Sequence, residues 1–390
     1  MNKLPNGWQI KTLGDIFLIE RGSSPRPIKS FLTNDNNGIN WIKIGDAKNN
    51  SKYIYQSAEK IRPEGKKYSR FVEIGDLILS NSMSFGRPYI MKTIGCIHDG
   101  WVVLRKILKN IIYEEYAYYI LSSNQVHSEF SKLAAGSVVK NLSIDRIKQV
   151  YIPIPPLDEQ KRIASALSKI DAYLENTIKL IEEKERFKRG IAKKLLTCKE
   201  VENIPEARFK GFEDEWETKT LNSISNIKKG EQKNKLDLIA DGKYPVLNGG
   251  MNFSGYCNSY NREANTITIS EGGNAGYVNF IKEKFWSSGH CYTLHDLKID
   301  KYFLYQCLKN SEKRLMKLQL GTALKNIRQS EIVEFELNIP KSIKEQEKIG
   351  GYLSLLDAEI DNLKKQKELI KEMKRGAMQK LLSGEVRLLE

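Results

Sequence analysis

The chain contains one long repeat, which constrains its fold more than any other feature of the sequence. Four segments of the first half return in the second half in the same order. The matched pairs are Trp8–Ile16 with Trp216–Ile224, Asp76–Ile90 with Thr266–Phe280, Gly136–Pro155 with Gly321–Pro340, and Phe187–Thr197 with Met373–Ser383. The period is close to half of the 390 residues, so the pattern indicates a duplicated module and not a short-repeat solenoid.

The first part of each module has a mixed pattern. Short β-like runs lie between turns rich in Gly, Asn and Ser, and a helical pattern follows them. The runs are Phe71–Ser80 and Gly100–Arg105 in module one and Asn265–Ser270 and Phe285–Leu294 in module two, and the helical patterns are Glu114–Ala134 and Lys301–Leu318. We expect each first part to form a small α+β globule.

The second part of each module is a long helical pattern with a narrow apolar stripe. Apolar residues recur every third or fourth position from Ile163 to Ile181, and again from Ile349 to Ile370 with Lys367 interrupting. This spacing is typical of a coiled-coil seam. About 40 residues at ~1.5 Å each give ~60 Å, which is longer than a small domain is wide. Because a narrow stripe needs a partner, we expect the two helices to pack antiparallel with one globule at each end.

The expected fold class is therefore α+β. Two similar globular domains are separated by two long antiparallel coiled-coil helices, with an internal pseudo-two-fold duplication. The expected boundaries are a globule at 1–156, a helix at 157–198, a second globule at 199–341 and a second helix at 342–390.

The charge balance favours a polyanionic partner. The formal net charge is +15 and the pI is about 9.3. Basic residues are scattered over both halves and form no polybasic tail beside an apolar anchor, so nucleic acid fits better than a membrane. No apolar run approaches the ~18 residues of a membrane span, and the first residues lack a secretory core, so we expect a cytoplasmic protein. The five cysteines contain no C-x-x-C pair, which gives no support to a disulfide framework or a zinc ribbon.

The two helix starts and the segments before them resemble a known family. The segment Ile152–Ile163 reads IPIPPLDEQKRI, and Asn338–Ile349 is a weaker copy in which Lys341, Ser342 and Ile343 depart from the pattern. The approaches Gly136–Ser143 and Gly321–Asn326 match each other, as do the helix ends KRG…KKLL and KRG…QKLL. Over nearly its whole length the chain resembles the specificity (S) subunit of type I restriction-modification systems.

The resemblance implies a function and a set of partners. In that family, two variable target-recognition domains alternate with two conserved helices. The S subunit selects a bipartite, gapped sequence in double-stranded DNA and docks two methyltransferase (M) subunits, while restriction (R) subunits join the complex. Methylation and ATP-dependent cleavage belong to the other subunits. We therefore expect no cofactor on this chain, and S-adenosylmethionine, ATP and magnesium on the partner subunits.

Catalytic motifs are sparse in the sequence. The Pro155–Pro156 pair is flanked by Ile154 and Leu157, and thus lacks the polar and aromatic neighbours of an amino-methyltransferase motif. Gly272–Gly276 lacks the lysine of a phosphate-binding loop, and the four histidines show no metal-ligand spacing. The prediction is a non-catalytic DNA-binding subunit. A self-contained methyltransferase-nuclease and a coiled-coil scaffold without DNA remain the alternatives.

Candidate DNA contacts lie in predicted loops, and two pairs of these loops, after Ser80 and Ser270 and around Lys140 and Lys325, occupy equivalent places of the two modules. Small polar residues can approach bases or phosphates closely, and lysine, arginine and asparagine offer donors to phosphates and base edges. The predicted contacts are Arg21, Arg26, Ser80, Ser82, Ser84, Arg87, Lys140, Asn141, Lys228, Lys229, Lys233, Ser270, Asn274, Lys325 and Asn326. Each set has another interpretation: glycine-dependent turns, turn-forming asparagines, or a solvated basic face.

The basic helix ends also allow two interpretations. Their lysines and arginines either oppose the negative end of the helix dipole or, by the resemblance, contact methyltransferase subunits. Gly190 and Gly376 are unfavourable inside helices by ~1 kcal/mol. Their recurrence predicts close helix approach or reflects common ancestry.

Overall fold

The protein is described here by a computed structural model that covers residues 4–47, 51–81, 86–108, 110–134, 143–199, 203–321 and 325–388. It divides into two compact units. Unit one contains Met1–Asn176 and Lys367–Glu390, and unit two contains Thr177–Gln366. Each unit therefore combines one globule with parts of both long helices.

The globule of unit one is mixed α and β. Its helices are α1 (Leu13–Ile16), α2 (Glu114–Leu121), α3 (Asn124–Ala134) and α4 (Ile144–Lys148), and α5 (Leu157–Leu196) starts here and continues into unit two. Its strands are β1 (Gln9–Thr12), β2 (Phe17–Arg21), β3 (Leu32–Thr33), β4 (Ile39–Ile42), β5 (Tyr53–Ile54), β6 (Glu59–Ile61), β7 (Arg70–Val72), β8 (Leu77–Ser80), β9 (Pro88–Met91), β10 (Gly95–Ile97), β11 (Trp101–Lys106) and β12 (Tyr151–Ile154).

Unit two repeats this plan with fewer strands. Its strands are β13 (Glu217–Thr220), β14 (Asn226–Lys229), β15 (Tyr244–Leu247), β16 (Gly255–Cys257), β17 (Thr266–Ser270), β18 (Val278–Ile281), β19 (Trp286–Ser287), β20 (Cys291–His295) and β21 (Glu336–Ile339). Its helices are α6 (Leu221–Ile224), α7 (Lys301–Asn310), α8 (Glu312–Lys317), α9 (Gln329–Val333) and α10 (Ile343–Ser383), the last of which ends in unit one.

Each unit has a two-stranded ribbon and two larger sheets. In unit one β1 pairs with β12, and the larger sheets have the orders β3-β6-β4-β10-β7 and β2-β11-β8-β9-β5. In unit two β13 pairs with β21, and the orders are β14-β20-β17-β18 and β16-β15-β19. The ribbon joins the first strand of each globule to the strand that precedes its long helix, which fixes where the helix starts.

Each unit also has a main core on the long helices and a second core between its two larger sheets. Tyr116, Ile163 and Leu167 are fully buried in the main core of unit one, and Phe303 and Leu353 are fully buried in that of unit two. Burial of such side chains contributes roughly 1.5–3 kcal/mol each. The main cores therefore anchor each globule to its helices.

The long helices run antiparallel within each unit. In unit two, Lys184 of α5 pairs with Glu359 of α10 at 2.6 Å and Lys188 pairs with Asp357 at 2.5 Å, so numbers rise on one helix as they fall on the other. In unit one, Asp171 of α5 pairs with Lys374 of α10 at 2.6 Å, beyond which the chain returns toward the start of α5. The predicted fold class is confirmed, with helices of 40 and 41 residues.

A glutamine side chain fixes each helix start. Gln160 accepts a hydrogen bond from the backbone N–H of Tyr113 at 2.8 Å and donates to the Pro155 carbonyl at 2.9 Å. Gln346 donates to the carbonyl of Pro340 at 2.8 Å and accepts from the N–H that precedes α7 at 2.9 Å. α10 therefore starts at Ile343 in the same way as α5, although the residues before it depart from the first copy.

Candidate nucleic-acid interface

In unit two, predicted contact segments that are far apart in the sequence meet around the carboxylate of Glu271. Lys229 ends β14 and donates from Nζ to Glu271 Oε1 at 2.6 Å, and the Tyr292 hydroxyl donates to the same oxygen at 2.9 Å. Asn326 lies beside the same loop, since a Cβ placed on Gly272 would lie 2.4 Å from Asn326 Oδ1. Lys229, the loop after β17 and the Lys325–Asn326 segment therefore form one surface.

Glycines allow the backbone segments of this surface to approach each other. A Cβ on Gly230 would lie 2.2 Å from the carbonyl oxygen of Ser288, which no ordinary side chain tolerates. The equivalent glycine of unit one is Gly22, whose Cβ would lie 2.0 Å from the carbonyl oxygen of His98. In each unit a basic residue, Arg21 or Lys229, precedes a glycine that packing requires. The loop after this glycine therefore starts at an equivalent place in the two units.

The exposed side chains of this surface are donors. Asn274, Lys325 and Asn326 are all exposed, and the loop below them is fixed by backbone hydrogen bonds. Asn274 N–H donates to the Gly249 carbonyl at 3.3 Å, and the N–H of Ile327 donates to the Glu271 carbonyl at 2.9 Å. A fixed backbone that presents amide and ammonium groups suits phosphate oxygens and base edges.

Two predicted lysines of the same segment lie elsewhere. Lys233 places Nζ 3.8 Å from the centroid of the Trp286 ring, a cation–π contact. Lys228 lies one position before Lys229 on β14, so its side chain projects from the opposite face. It adds to the effects that lower the pKa of His295, the largest of which is burial. The structure thus brings Lys229, but not Lys228, to Glu271.

The predicted serines at the loop starts are buried. Ser80 is 2% exposed and Ser270 is 1% exposed. Their carbonyls accept from Gly86 at 2.7 Å and Gly276 at 2.8 Å, and both glycines have positive φ, +80° and +85°. These tight turns support the alternative interpretation of the glycines. DNA contact by either serine stays a prediction.

In unit one, predicted residues meet at Asp99. Arg21 donates from Nε to the Asp99 carbonyl at 3.1 Å, and Ser24 donates to its carboxylate at 3.1 Å. Arg26 lies 3.9 Å from the same carboxylate with 84% of its side chain exposed. Arg87 is half-buried beside Tyr89. Burial raises the pKa of Tyr89, and Arg87 acts to lower it. Arg21 and Arg26 therefore form the exposed basic part of this surface.

The predictions at Ser82, Ser84, Lys140 and Asn141 lie outside the described residues. Nothing in the structure bears on them.

An additional basic groove in unit one was missed by the sequence analysis. It is open, has a volume of about 740 Å³, and is lined by Pro63, Glu64, Lys66, Lys67, Ser69, Arg70, Phe71, Glu73 and Arg105. Ser69 donates to the Ser23 carbonyl at 2.7 Å, which joins the groove to the Arg21–Arg26 segment. Lys66 lies 3.7 Å from the centroid of the Phe71 ring. The pair Lys66–Lys67 was a signal that sequence reasoning could have used.

His290 and Met251 of unit two were also missed. His290 Nδ1 lies 3.6 Å from Glu271 Oε2, and 54% of the His290 side chain is exposed. Met251 is 53% exposed in the loop whose Gly249 contacts the Asn274 segment. His290 aligns with Gly100 of unit one, so the repeat gave no sign of it.

The hydroxyl of Tyr292 is buried and donates to Glu271, and burial together with this hydrogen bond raises its pKa. Within the described ranges, no group of three or more His, Cys, Asp or Glu side chains could hold a metal ion. In the same ranges, no helix is both long and apolar enough to cross a membrane.

The outward face of the long helices carries exposed apolar residues. Phe187 of α5 is 53% exposed and lines a groove of about 430 Å³ with Gly190 and Ile191. In unit one, Leu369 and Met373 of α10 are 65% and 50% exposed. Apart from the adjacent residues and nearby backbone of the same helix, no described atom lies within 4 Å of a Cβ placed on Gly190 or Gly376, so the predicted close helix approach at these glycines is wrong within this chain.

The comparisons with known proteins agree with this architecture. The model of the type I restriction modification DNA specificity domain matches residues 5–183 and 213–372. The chain therefore belongs to this family, and it is a specificity subunit of a type I restriction-modification system.

Relatives among curated proteins carry names of the same kind. Type I specificity subunits from Mycoplasma pneumoniae and Mycoplasma genitalium are 40% identical over 151 residues and 33% identical over 171 residues. These matches cover 38% and 43% of this chain, and the chain spans only 40% and 45% of those two relatives. The type I restriction enzyme MjaIX specificity subunit of Methanocaldococcus jannaschii is 25% identical, over 100% of this chain and 96% of its own.

Solved structures show the same fold. The crystal structure of an S subunit from M. genitalium has a TM-score of 0.66 at 21% identity and covers 97% of this chain and 98% of that one. A chain from a study of complex assembly and conformational transition of the type I system has a TM-score of 0.61 at 16% identity, over 99% of this chain and 100% of that one.

Proposed function

We propose that this chain recognises a bipartite, gapped sequence in double-stranded DNA, with each unit reading one half. The observation that carries this is the repeated surface: a basic residue, a packing glycine and a small-residue loop recur at equivalent places in both units. Lys229, Lys325 and Asn326 supply donors in unit two, and Arg21 and Arg26 supply them in unit one. Such groups fix a protein on phosphates and read base edges.

The two halves of the target are expected to differ. Equivalent positions of the repeat carry different chemistry: Arg21 corresponds to Lys229, and Asn81 corresponds to Glu271. An arginine can donate to guanine from two nitrogens of a planar group, whereas a lysine donates from a single nitrogen. A carboxylate repels phosphate, whereas an amide can donate a hydrogen bond to it. A duplicated scaffold with unlike side chains therefore suits an asymmetric target.

We infer that the exposed apolar faces of the helices dock two methyltransferase subunits. Phe187 and Met373 occupy the same position of the repeated helix, three residues before Gly190 and Gly376. Because one patch occurs twice, two copies of one partner fit better than two different partners. Restriction subunits join this complex, and methylation, cleavage, S-adenosylmethionine, ATP and magnesium belong to the partner subunits. The complex works in the cytoplasm.

Methylation mapping tests the proposal. The chain is co-expressed with a type I methyltransferase subunit in cells that lack other adenine methylation, and the genome is sequenced with methylation detection. A gapped motif with two unlike halves is the expected result. A continuous palindrome or no added methylation from a soluble complex would contradict it, and the second result would favour the scaffold alternative.

A second experiment tests the docking faces. Phe187→Glu and Met373→Glu should each remove one methyltransferase subunit from the complex, and the double variant should remove both, as measured by native mass spectrometry. Leu236→Glu is the matched control, because Leu236 is 97% exposed but lies in the short 3₁₀ helix Lys235–Asp237 of unit two and not on a long helix. Retention of both subunits by the double variant would refute this docking site.

Methylation by the purified chain with S-adenosylmethionine alone would instead revive the methyltransferase-nuclease alternative. Salt-insensitive or absent DNA binding would favour the scaffold.

A further inference from the structure

The repeated Glu-Gln of the helix starts places a carboxylate in the interior of each unit. In unit one, Glu159 is 1% exposed. Its Oε2 accepts from the indole of Trp8 at 3.0 Å and from Arg387 Nη2 at 2.8 Å, and its Oε1 accepts from Arg387 Nε at 3.1 Å. One carboxylate thus joins the start of the globule, the start of α5 and the segment that follows α10.

Unit two contains the same arrangement. Glu345 is 1% exposed and accepts two hydrogen bonds from Arg208, at 2.7 and 2.8 Å. The indole of Trp216 donates to Glu345 Oε1 at 3.4 Å. Both arginines bind the carboxylate through two nitrogens, the geometry that holds a planar pair in one orientation.

The arginines belong to a further repeat that the sequence analysis missed. Arg387 lies in GEVRL at 384–388, after α10, and Arg208 lies in PEARF at 205–209, after α5. Each segment is attached to its helix in the same way. Val386 donates from its backbone N–H to the Lys380 carbonyl at 3.1 Å, and Ala207 donates to the Lys194 carbonyl at 2.9 Å. The segment after one helix therefore closes on the start of the other helix in both units.

This arrangement restricts orientation more than it adds stability. Replacing a buried ion pair by apolar residues is often neutral, whereas removing one partner leaves a buried charge and is strongly destabilising. Burial alone would raise the pKa of Glu159, but hydrogen bonds from Arg387 and Trp8 lower it below its usual value. A directional ion pair repeated at both helix starts accordingly fits a role in geometry.

We propose that the two sets Trp8–Glu159–Arg387 and Trp216–Glu345–Arg208 are positioning clasps that fix the orientation of each globule on its helices, and thereby the single gap length that the protein accepts between half-sites. The proposal rests on the proposed function, since it concerns how the target is read. The clasp carboxylates are each 1% exposed, so they act on the target through the strands and helices that they join.

The test uses the complex with methyltransferase subunits and genome-wide methylation mapping. The variants are Glu159→Gln, Glu345→Gln and Arg208→Lys, and the control is Glu263→Gln, which removes an exposed partner of Lys284 in unit two. The glutamine variants should raise methylation at sites whose gap differs by one base pair by about tenfold, equivalent to ~1.4 kcal/mol of lost discrimination. Arg208→Lys, which keeps the charge but not the two-nitrogen geometry, should show a smaller rise, and the control none.

Clasps that only stabilise folding would give a different result. Methylation would then fall equally at all sites, in proportion to the loss of soluble complex, and the gap length would stay single; this result would overturn the proposal while leaving the proposed function intact. A wild-type complex that yields no gapped motif would instead refute the proposed function itself.

Discussion

The interiors of the two globules differ although their strands align. Between its two larger sheets, unit one buries Ile78, Trp101 and Val103 in a cluster of hydrophobic residues. The register of the strands places three polar or small residues of unit two at these positions, Thr268, Cys291 and Thr293. Ile97 of unit one likewise corresponds to Ser287 of unit two. One scaffold therefore tolerates an apolar and a polar filling.

The polar filling is organised by one arginine. Arg262 donates to the Thr293 hydroxyl at 2.8 Å and to the Lys229 carbonyl at 2.9 Å, and so links the interior to the strand that carries the candidate contact Lys229. Among the described residues, the buried hydroxyls of Thr268 and Ser287 have no hydrogen-bond partner. An unpartnered buried polar group costs about 1–3 kcal/mol. The two units therefore share their main cores on the helices, and the layer between the sheets is where they differ.

The largest expected effect of breaking this comparison is at Trp101. Trp101 is fully buried, with 0% solvent exposure, and its ring makes an edge-to-face contact with Tyr89. Trp101→Ala should lower the free energy of unfolding of unit one by about 3–5 kcal/mol, whereas Cys291→Ala in unit two should cost far less because little volume is removed. Hydrogen exchange with mass spectrometry, resolved by unit, measures both. Equal losses in the two units would contradict the difference between the interiors.

Arg262 gives the next effect. Arg262→Met keeps the length of the side chain but leaves the Lys229 carbonyl and the Thr293 hydroxyl without their donor, which should destabilise unit two by about 1–3 kcal/mol. Exchange should rise in β14 and β20 and stay unchanged in unit one. Lys284→Met, an exposed control, should have no such effect. A rise spread over both units would disprove the local role of Arg262.

Thr268 and Ile78 form a reciprocal pair with a smaller effect. Thr268→Val removes an unpartnered buried hydroxyl at nearly constant volume, and should be neutral or stabilise unit two by up to about 1 kcal/mol. Ile78→Thr should destabilise unit one, because it introduces a hydroxyl into an apolar layer. Thermal unfolding of the two variants checks the signs. Destabilisation by Thr268→Val would mean that its hydroxyl has a partner in solution.

The smallest expected effect is that of acid, which should begin at a defined pH. The folded pKa of Glu159 lies below the ordinary value of 4.5, so the stabilisation by its clasp is complete above 4.5 and is lost as the pH falls through the folded pKa. The indole N–H resonance of Trp8 should therefore stay constant from neutral pH down to 4.5 and shift below it. In Glu159→Gln this acid shift should vanish. A shift that begins near neutral pH would refute the assignment.

The sequence predicted the fold well where it was periodic or repeated. The stripe from Ile163 to Ile181 identified α5, and the duplication identified the equivalence of the globules. Contacts between distant segments could not be predicted from the sequence. No local pattern indicates that Lys229 contacts Glu271 or that Glu159 binds Arg387, because each contact depends on how segments far apart in the chain pack together. Two features of the sequence could have indicated these surfaces and contacts: the pair Lys66–Lys67 and the short repeat around Arg208 and Arg387.

The packing around the candidate contacts could not be predicted from the sequence for the same reason. Glycine-rich loops mark turns and contact sites alike, and only packing distinguishes them: Gly230 is required by the Ser288 carbonyl, and Ser270 is buried beneath its loop. Exposure separates Lys325 and Asn326 from Ser270, and exposure is not visible in residue type.

The most direct test of the account asks whether each unit reads its own half-site. In the complex with methyltransferase subunits, Lys229→Ala with Asn326→Ala, and separately Arg21→Ala with Arg26→Ala, are examined by methylation mapping. The account predicts that the first pair relaxes the sequence of one half of the motif, the second pair relaxes the other half, and the untouched half keeps its sequence in each case. Relaxation of both halves by either pair, or of neither by both, would contradict it.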